Sequence, residues 1–125
     1  MTAIRHWRIN LLMQISIVEA ETYLATAKDI MSAEEMESVV TVISTAPMSG
    51  DVIPGGRGLR KLRIPLQGRG KRGGGRVIYW YYNEGYPVVL LLAFAKNDKN
   101  DLSQSQLKSL VRIAENLIED FRSNT

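Results

Sequence analysis

The segment Pro87 to Ala95 (PVVLLLAFA) is apolar without interruption, and no other feature of this 125-residue chain restricts its fold as much. Such a run has no polar face to turn to water, so as a strand it needs cover on both sides. As a helix it is far too short to span a bilayer. A central strand covered on both faces is therefore expected, and the neighbouring sequence supplies its partners. Arg76 to Tyr82 (RVIYWYY) is β-branched and aromatic, a composition that favours strands. Leu59 to Leu66 alternates, with Leu62, Ile64 and Leu66 on one face and Lys61 and Arg63 on the other. Beyond the apolar run, Ser103 and Gln106 form a capping-box pattern. Leu107, Leu110, Val111, Ala114, Leu117, Ile118 and Phe121 then trace one stripe of a long carboxy-terminal helix.

The amino-terminal half reads as one strand and two helices. Gln14 to Glu19 (QISIVE) alternates apolar and polar residues with a period of two. Tyr23, Leu24, Ala27, Ile30 and Met31 recur at spacings of three and four, which predicts an amphipathic helix over Ala20 to Met31. Ser32 and Glu35 form a second capping box. Met36, Val39, Val40 and Ile43 mark the face of the next helix, which Pro47 stops near Ala46. Met48 to Gly58 reads as a loop and Gln67 to Gly75 as a glycine-rich basic hairpin loop. The expected order is β-α-α-β-β-β-α, an α+β fold in which an antiparallel sheet packs against helices and the last three strands form a meander. A single domain is expected over residues 14–123. Residues 1–13 are expected to be a disordered arm or an upstream extension, since Met13 directly precedes the first strand.

Composition removes several chemistries. The chain has no cysteine and one histidine, which leaves no disulfide, no thiolate nucleophile and no zinc site, and no cofactor is implied. The absence of an apolar signal region points to a soluble cytoplasmic protein with no membrane partner. Gly68, Gly70 and Gly73 match G-x-G-x-x-G, but a strand rather than a helix follows them, so the dinucleotide fingerprint does not apply. These glycines suit a hairpin loop whose backbone can approach a phosphate.

Charge is distributed very unevenly. Arg57, Arg60, Lys61, Arg63, Arg69, Lys71, Arg72 and Arg76 lie between Val52 and Asn83 with no acidic residue among them. The remaining eight cations face all thirteen acids, a net of −5. Ordinary solvated surfaces mix signs, so a one-sign stretch carried by two strands is expected to grip a polyanion. Phosphates along a single strand of nucleic acid fit such a platform, and Tyr79, Trp80, Tyr81 or Tyr82 could stack bases, although aromatics in a small domain are more often core. A non-catalytic RNA- or DNA-binding module and a protein meeting an acidic partner remain open on these grounds, as does a solvated loop that protects a sheet edge.

The stretch GDVIPGGRGLRKLRIP, followed by the glycine-basic loop, GGRVIYWYY, and an apolar strand ending in AKNDKNDLS, resembles the RelE/HigB-like toxins of bacterial type II toxin–antitoxin modules. The resemblance extends over about Gln14 to Phe121. It implies a RelE-like, microbial-RNase-like fold and a ribosome-dependent endoribonuclease that cleaves mRNA in the decoding site. It also implies a cognate antitoxin, of helix-turn-helix type, that masks the basic surface. Carried over by position, the site residues are Lys61, Arg63, Arg76 and Lys96; Arg57, Arg60, Arg69, Lys71, Arg72 and Lys99, not carried over from the family, are the further candidates for RNA contact. Well-studied members carry an arginine after the lysine matching Lys96 and a tyrosine several residues later. Here Asn97 and the Leu102–Ser103 stretch stand in those places, and Lys99 is a candidate replacement for the missing cation.

Cleavage of this kind needs the 2′-hydroxyl deprotonated, the phosphate charge stabilised and the 5′-oxygen protonated. His6, the single histidine, lies in the arm and is a poor candidate. A lysine crowded by other cations gives up its proton more readily, which makes Lys61 or Lys96 the expected base and Arg63 and Arg76 the phosphate ligands. Weak poising of such groups would leave the ribosome to orient the RNA for in-line attack.

Overall fold

Val88–Ala95 runs through the interior of a six-stranded sheet, where its unbroken apolar character is accommodated on both faces. A computed structural model of the chain describes residues 5–10, 15–67, 74–96 and 102–123. In chain order the elements are β1 (Arg5–Asn10), β2 (Ile15–Ala20), α1 (Glu21–Ala27), α2 (Ala33–Thr45), β3 (Asp51–Val52), β4 (Leu59–Ile64), β5 (Gly75–Trp80), β6 (Val88–Ala95) and α3 (Gln104–Ser123). The strands are arranged β1-β2-β6-β5-β4-β3. The expected meander is present, since β4 pairs antiparallel with β5 and β5 antiparallel with β6. The sheet is nonetheless mixed, because β2 lies parallel to β6. Among the described residues no helix is long and apolar enough to cross a membrane.

Two apolar layers sandwich the sheet. Val88 and Leu90 turn toward α1 and α2, where they meet Tyr23, Val39 and Ile43. Val89 and Leu91 turn toward α3 and meet Leu107, Ala114 and Leu117. Each fully buried Leu, Ile or Val of this kind contributes about 1.5–3 kcal/mol of transfer free energy, so the sandwich is the main source of stability. β6 also has a β-bulge. Ile78 pairs with Leu92 and Tyr79 with Leu90, leaving Leu91 as the extra residue. Beyond Leu90 the paired register of β2 ends, and α1 takes over that edge: the Thr22 hydroxyl donates to the Leu91 carbonyl, and the Ala93 N–H donates to Thr26 Oγ1 at 3.0 Å.

Three expectations change. The first helix ends at Ala27 rather than Met31, because a turn at Lys28–Ile30 reverses the chain before the Ser32 cap; the Met31 N–H still reaches the Ala27 carbonyl at 2.8 Å. Part of the expected Met48–Gly58 loop forms the two-residue strand β3 on the outer edge of β4. Arg5–Asn10, expected to lie in an arm, forms β1, antiparallel to β2. Both capping boxes form as expected. Ser32 Oγ accepts from the Glu35 N–H at 3.1 Å while Glu35 Oε1 accepts from the Ser32 N–H at 2.8 Å, and Ser103 and Gln106 make the same reciprocal pair.

Candidate nucleic-acid interface

β4 divides its side chains between the two layers, and that division creates the site. Leu62 and Ile64 enter the α1/α2 layer, so Lys61 and Arg63 fall on the α3 side. β5 does the reverse in register: Val77 and Tyr79 face α1 and α2, while Arg76 and Ile78 face α3. Arg63 and Arg76 are Cα partners across the β4–β5 ladder. Directly opposed side chains on neighbouring strands have Cβ atoms about 4.5–5.5 Å apart, and like charges so placed destabilise the pair. Arg63 is exposed and Arg76 half-buried, with Arg76 Nη1 donating to the Gly75 carbonyl at 2.9 Å. That bond occupies one of the five guanidinium N–H donors. Among the described residues no carboxylate pairs with Arg63, Arg76 or Lys61. Lys61, half-buried, stands two positions along the same face and has Asp51 as its Cα partner on β3.

The bulge completes the arrangement. Without the extra residue at Leu91, Phe94 would share the α1/α2 face with Leu90; with it, Phe94 joins the α3 layer as the Cα partner of Arg76. Re-aiming a side chain in this way is a recurrent use of bulges. Lys96 follows two positions on, exposed at the end of β6, and its N–H donates to the Gly74 carbonyl at 2.9 Å. Lys61, Arg63, Arg76 and Lys96 therefore gather at one end of the β4–β5–β6 meander.

The other sequence candidates separate from this group. Arg60 departs from the expected platform. Alternation puts it on the α1/α2 side with Leu62, where Nη1 donates to the carbonyls of Gly50 at 2.8 Å and Met48 at 3.2 Å. Arg57 precedes β4 at the far end of the hairpin, exposed, with its carbonyl accepting from Trp80 Nε1–H at 3.2 Å. Arg69, Lys71, Arg72 and Lys99 lie outside the described residues, as does Asn97. His6 is in β1, with Glu19 as its Cα partner. Where a tyrosine was looked for, Leu102 packs against the α3 layer and Ser103 caps α3, so neither offers an acid or base.

The aromatic strand also sorts itself. Tyr79 is fully buried, its hydroxyl donating to the Pro47 carbonyl at 2.7 Å and accepting from the Gly50 N–H at 2.9 Å. Burial pushes its phenol pKa up. Gly50 is required there, because a Cβ would sit 2.8 Å from the Tyr79 ring. Trp80 is buried, Tyr81 half-buried, and Tyr82 exposed.

Two acidic residues that were not among the expected site residues lie against the root of the basic loop and the cation row. Glu35 Oε2 accepts from the Gln67 N–H at 2.7 Å, which ties the root of the loop to the start of α2. The Gln67 N–H, followed by the Ser32 N–H, holds the Glu35 carboxyl below the usual carboxylate range. Its capping role was visible in the sequence, but its second oxygen was not. Asp51 is the other, placed beside Lys61 by a strand too short to leave a periodic signal.

The larger of the described clefts, about 880 Å³, is elsewhere. It is lined by Thr45, Met48, Tyr81, Glu84, Tyr86 and Phe121 among others, and among the described residues no lysine or arginine borders it. Size therefore does not mark the interface; an open cationic ridge suits a polymer better than an enclosed cleft does. A family model described as the RelE toxin of the RelE/RelB toxin–antitoxin system matches residues 17–124, from within β2 through the end of α3. Together with the α+β architecture, that match makes the chain a member of the RelE toxin family.

Proposed function

We propose that this protein is a ribosome-dependent mRNA endoribonuclease, the toxin of a toxin–antitoxin pair, held in check by a cognate antitoxin of helix-turn-helix type and acting in the cytoplasm where translating ribosomes are found. The observation that carries the reading is the Arg63–Arg76 pair: two arginines that are Cα partners on adjacent strands, with Lys61 two positions along the same face and Lys96 at the end of β6. Mutual repulsion is relieved when a doubly ligated anion sits between such groups, and a phosphodiester in an RNA strand supplies one.

In the proposed reaction the 2′-hydroxyl gives its proton to Lys61 or Lys96, and its oxygen attacks the adjacent phosphorus. The bond from phosphorus to the 5′-oxygen breaks, and that oxygen takes a proton from water, while the protonated lysine returns its own to solvent. The products are a 2′,3′-cyclic phosphate and a 5′-hydroxyl end. Arg63 and Arg76 stabilise the extra negative charge on the phosphoryl oxygens in the transition state. The single histidine, His6, lies on the edge strand β1, and Leu102 and Ser103 are committed to packing and capping, so this chain brings few groups for proton transfer. Orientation of the mRNA by the ribosome is then the main remaining source of rate.

The test uses purified ribosomes programmed with a defined mRNA. Cleavage within translated codons, giving 5′-hydroxyl ends and abolished both by Arg76→Ala and by a 2′-deoxy substitution at the cut site, is expected. Ribosome-bound RNA that stays intact with folded wild-type protein overturns the catalytic reading in favour of a binding module.

A further inference from the structure

At the opposite end of the β4–β5 hairpin from the arginine pair, Tyr82 presents an unusual surface. It is 63% exposed, yet its ring is held in place. It stacks on Trp80 with centroids 6.1 Å apart and planes 13° from parallel. Tyr86 meets it edge-on at 5.3 Å and 67°, and meets Trp80 edge-on at 6.3 Å and 77°. Trp80 is itself fixed by its Nε1–H bond to the Arg57 carbonyl and by packing on Leu59, its Cα partner. An exposed aromatic ring whose orientation is already determined loses little further freedom when a flat ligand stacks on it.

A second observation adjoins the first. Arg57 has φ +51°, and among the described residues it is the one non-glycine in the left-handed region. Its neighbours Gly55, Gly56 and Gly58 show that the turn is built for glycine. Gly58, at φ +102°, also lets Trp80 approach so closely that a Cβ would lie 2.7 Å from Nε1. A glycine at position 57 would fit this backbone better, so an arginine held there is a strained residue at a point where its side chain has work to do.

We infer that Tyr82 and Arg57 form a nucleotide subsite for single-stranded RNA, in which Tyr82 stacks one base and Arg57 contacts a neighbouring phosphate. The identity of the ligand rests on the proposed RNA-cleaving function. Trp80 belongs to the same α3 layer that Arg76 faces, so both ends of the hairpin open on one side of the sheet. Arg76 and Tyr82 are six residues apart, about 20 Å along an extended chain. That distance lies within the footprint of roughly four or more nucleotides that single-strand binders cover. The arginine pair holds the reacting phosphate, and the Tyr82–Arg57 subsite sets the register of the strand across it.

The test is anisotropy titration of the full chain with two labelled octamers: a 2′-O-methyl RNA, which resists cleavage, and an abasic backbone carrying the same phosphates. Tyr82→Ala should weaken binding of the RNA about tenfold, the scale of one lost base–aromatic stack. Tyr82→Trp should bind as wild type, and the abasic octamer should not distinguish the variants at position 82. Arg57→Gly should weaken both octamers by a similar factor without lowering the melting temperature. Unchanged RNA affinity in Tyr82→Ala while Arg76→Ala binds poorly removes the subsite and leaves the nuclease reading intact. An equal loss for the abasic octamer, or no RNA binding by wild type at low salt, also overturns it. Base-dependent binding through Tyr82 with no cleavage on ribosomes would instead remove the nuclease reading and leave the subsite.

Discussion

Arg60 and Arg63 lie three residues apart on one strand, inside the same acid-free stretch, and the fold uses them in opposite ways. Arg60 turns toward α1 and α2 and donates to the Met48 and Gly50 carbonyls. Its Cα partner is Tyr79, whose hydroxyl fastens the same loop through Pro47 and Gly50. Arg63 turns toward α3, stays exposed, and faces Arg76. One guanidinium is satisfied by backbone carbonyls of its own chain, whereas the other is opposed by a like charge. Charge density therefore marks a region of the chain, but the fate of each donor separates an arginine that braces the fold from one left available to a ligand.

The largest effect expected from this contrast is on activity. Arg76→Ala should lower ribosome-dependent cleavage about 10²–10³-fold, the usual loss when a donor to transition-state charge is removed. Its stability in urea should stay level or rise by a few tenths of a kcal/mol as the repulsion with Arg63 disappears. A variant that unfolds but, where folded, cleaves normally would break the comparison at its catalytic end.

Arg60→Met should behave in the reverse manner. Loss of two charge-assisted bonds to carbonyls should cost about 1.5–3 kcal/mol in urea denaturation, with cleavage per folded molecule unchanged. If the folded variant loses activity as Arg76→Ala does, Arg60 belongs to the interface after all. Tyr79→Phe sharpens the same end of the comparison, since it leaves the Gly50 N–H and the Pro47 carbonyl without their side-chain partner, for about 1–2 kcal/mol. Desolvation raises the Tyr79 pKa above its unfolded value of 10.0. The folded state therefore holds the phenol proton more tightly, and the stability this group contributes is fully present below pH 10 and declines as pH rises through the folded value. Denaturation series should accordingly show the advantage of wild type over Tyr79→Phe narrowing in alkali.

Much of this arrangement was legible before the fold was known. The apolar run of β6, both capping boxes and the alternation of Leu62 and Ile64 against Lys61 and Arg63 are local patterns, and each reappears in the structure. Parity along β4 also contained the separation of Arg60 from Arg63, since Arg60 shares its face with Leu62, but the basic run obscured it. RVIYWYY carried no such information. Both faces of β5 are apolar, so only the partners of Tyr79 and Tyr82 decide which ring is buried and which is exposed. The bulge at Leu91 and the parallel pairing of β2 with β6 depend on contacts between distant segments, and the position of Phe94 beside Arg76 follows from them. The bond from Gln67 to Glu35 was missed for the same reason, because its partners are remote in the sequence, whereas Asp51 was missed because β3 is too short to leave a pattern.

Glu35 provides the finest test, since it joins the structural and functional ends of the contrast. One carboxylate oxygen accepts from the Ser32 N–H and caps α2; the other accepts from the Gln67 N–H and fixes the root of the basic loop. Both bonds favour the ionised form, which is why its pKa lies below the unfolded value of 4.5. With a depressed folded pKa, the stabilisation is present above pH 4.5 and is lost as pH falls through the folded value. Glu35→Gln can keep one acceptor but not two, and at this largely solvated position the cost near neutrality should stay below about 1 kcal/mol. Wild type and variant should converge in stability as acid protonates Glu35. Proteolysis within the basic loop should meanwhile be faster in the variant at neutral pH and equal in acid. A stability difference that persists unchanged through acid would mean that Gln67 is anchored by packing rather than by the carboxylate, and the loop root would then be independent of the α2 cap.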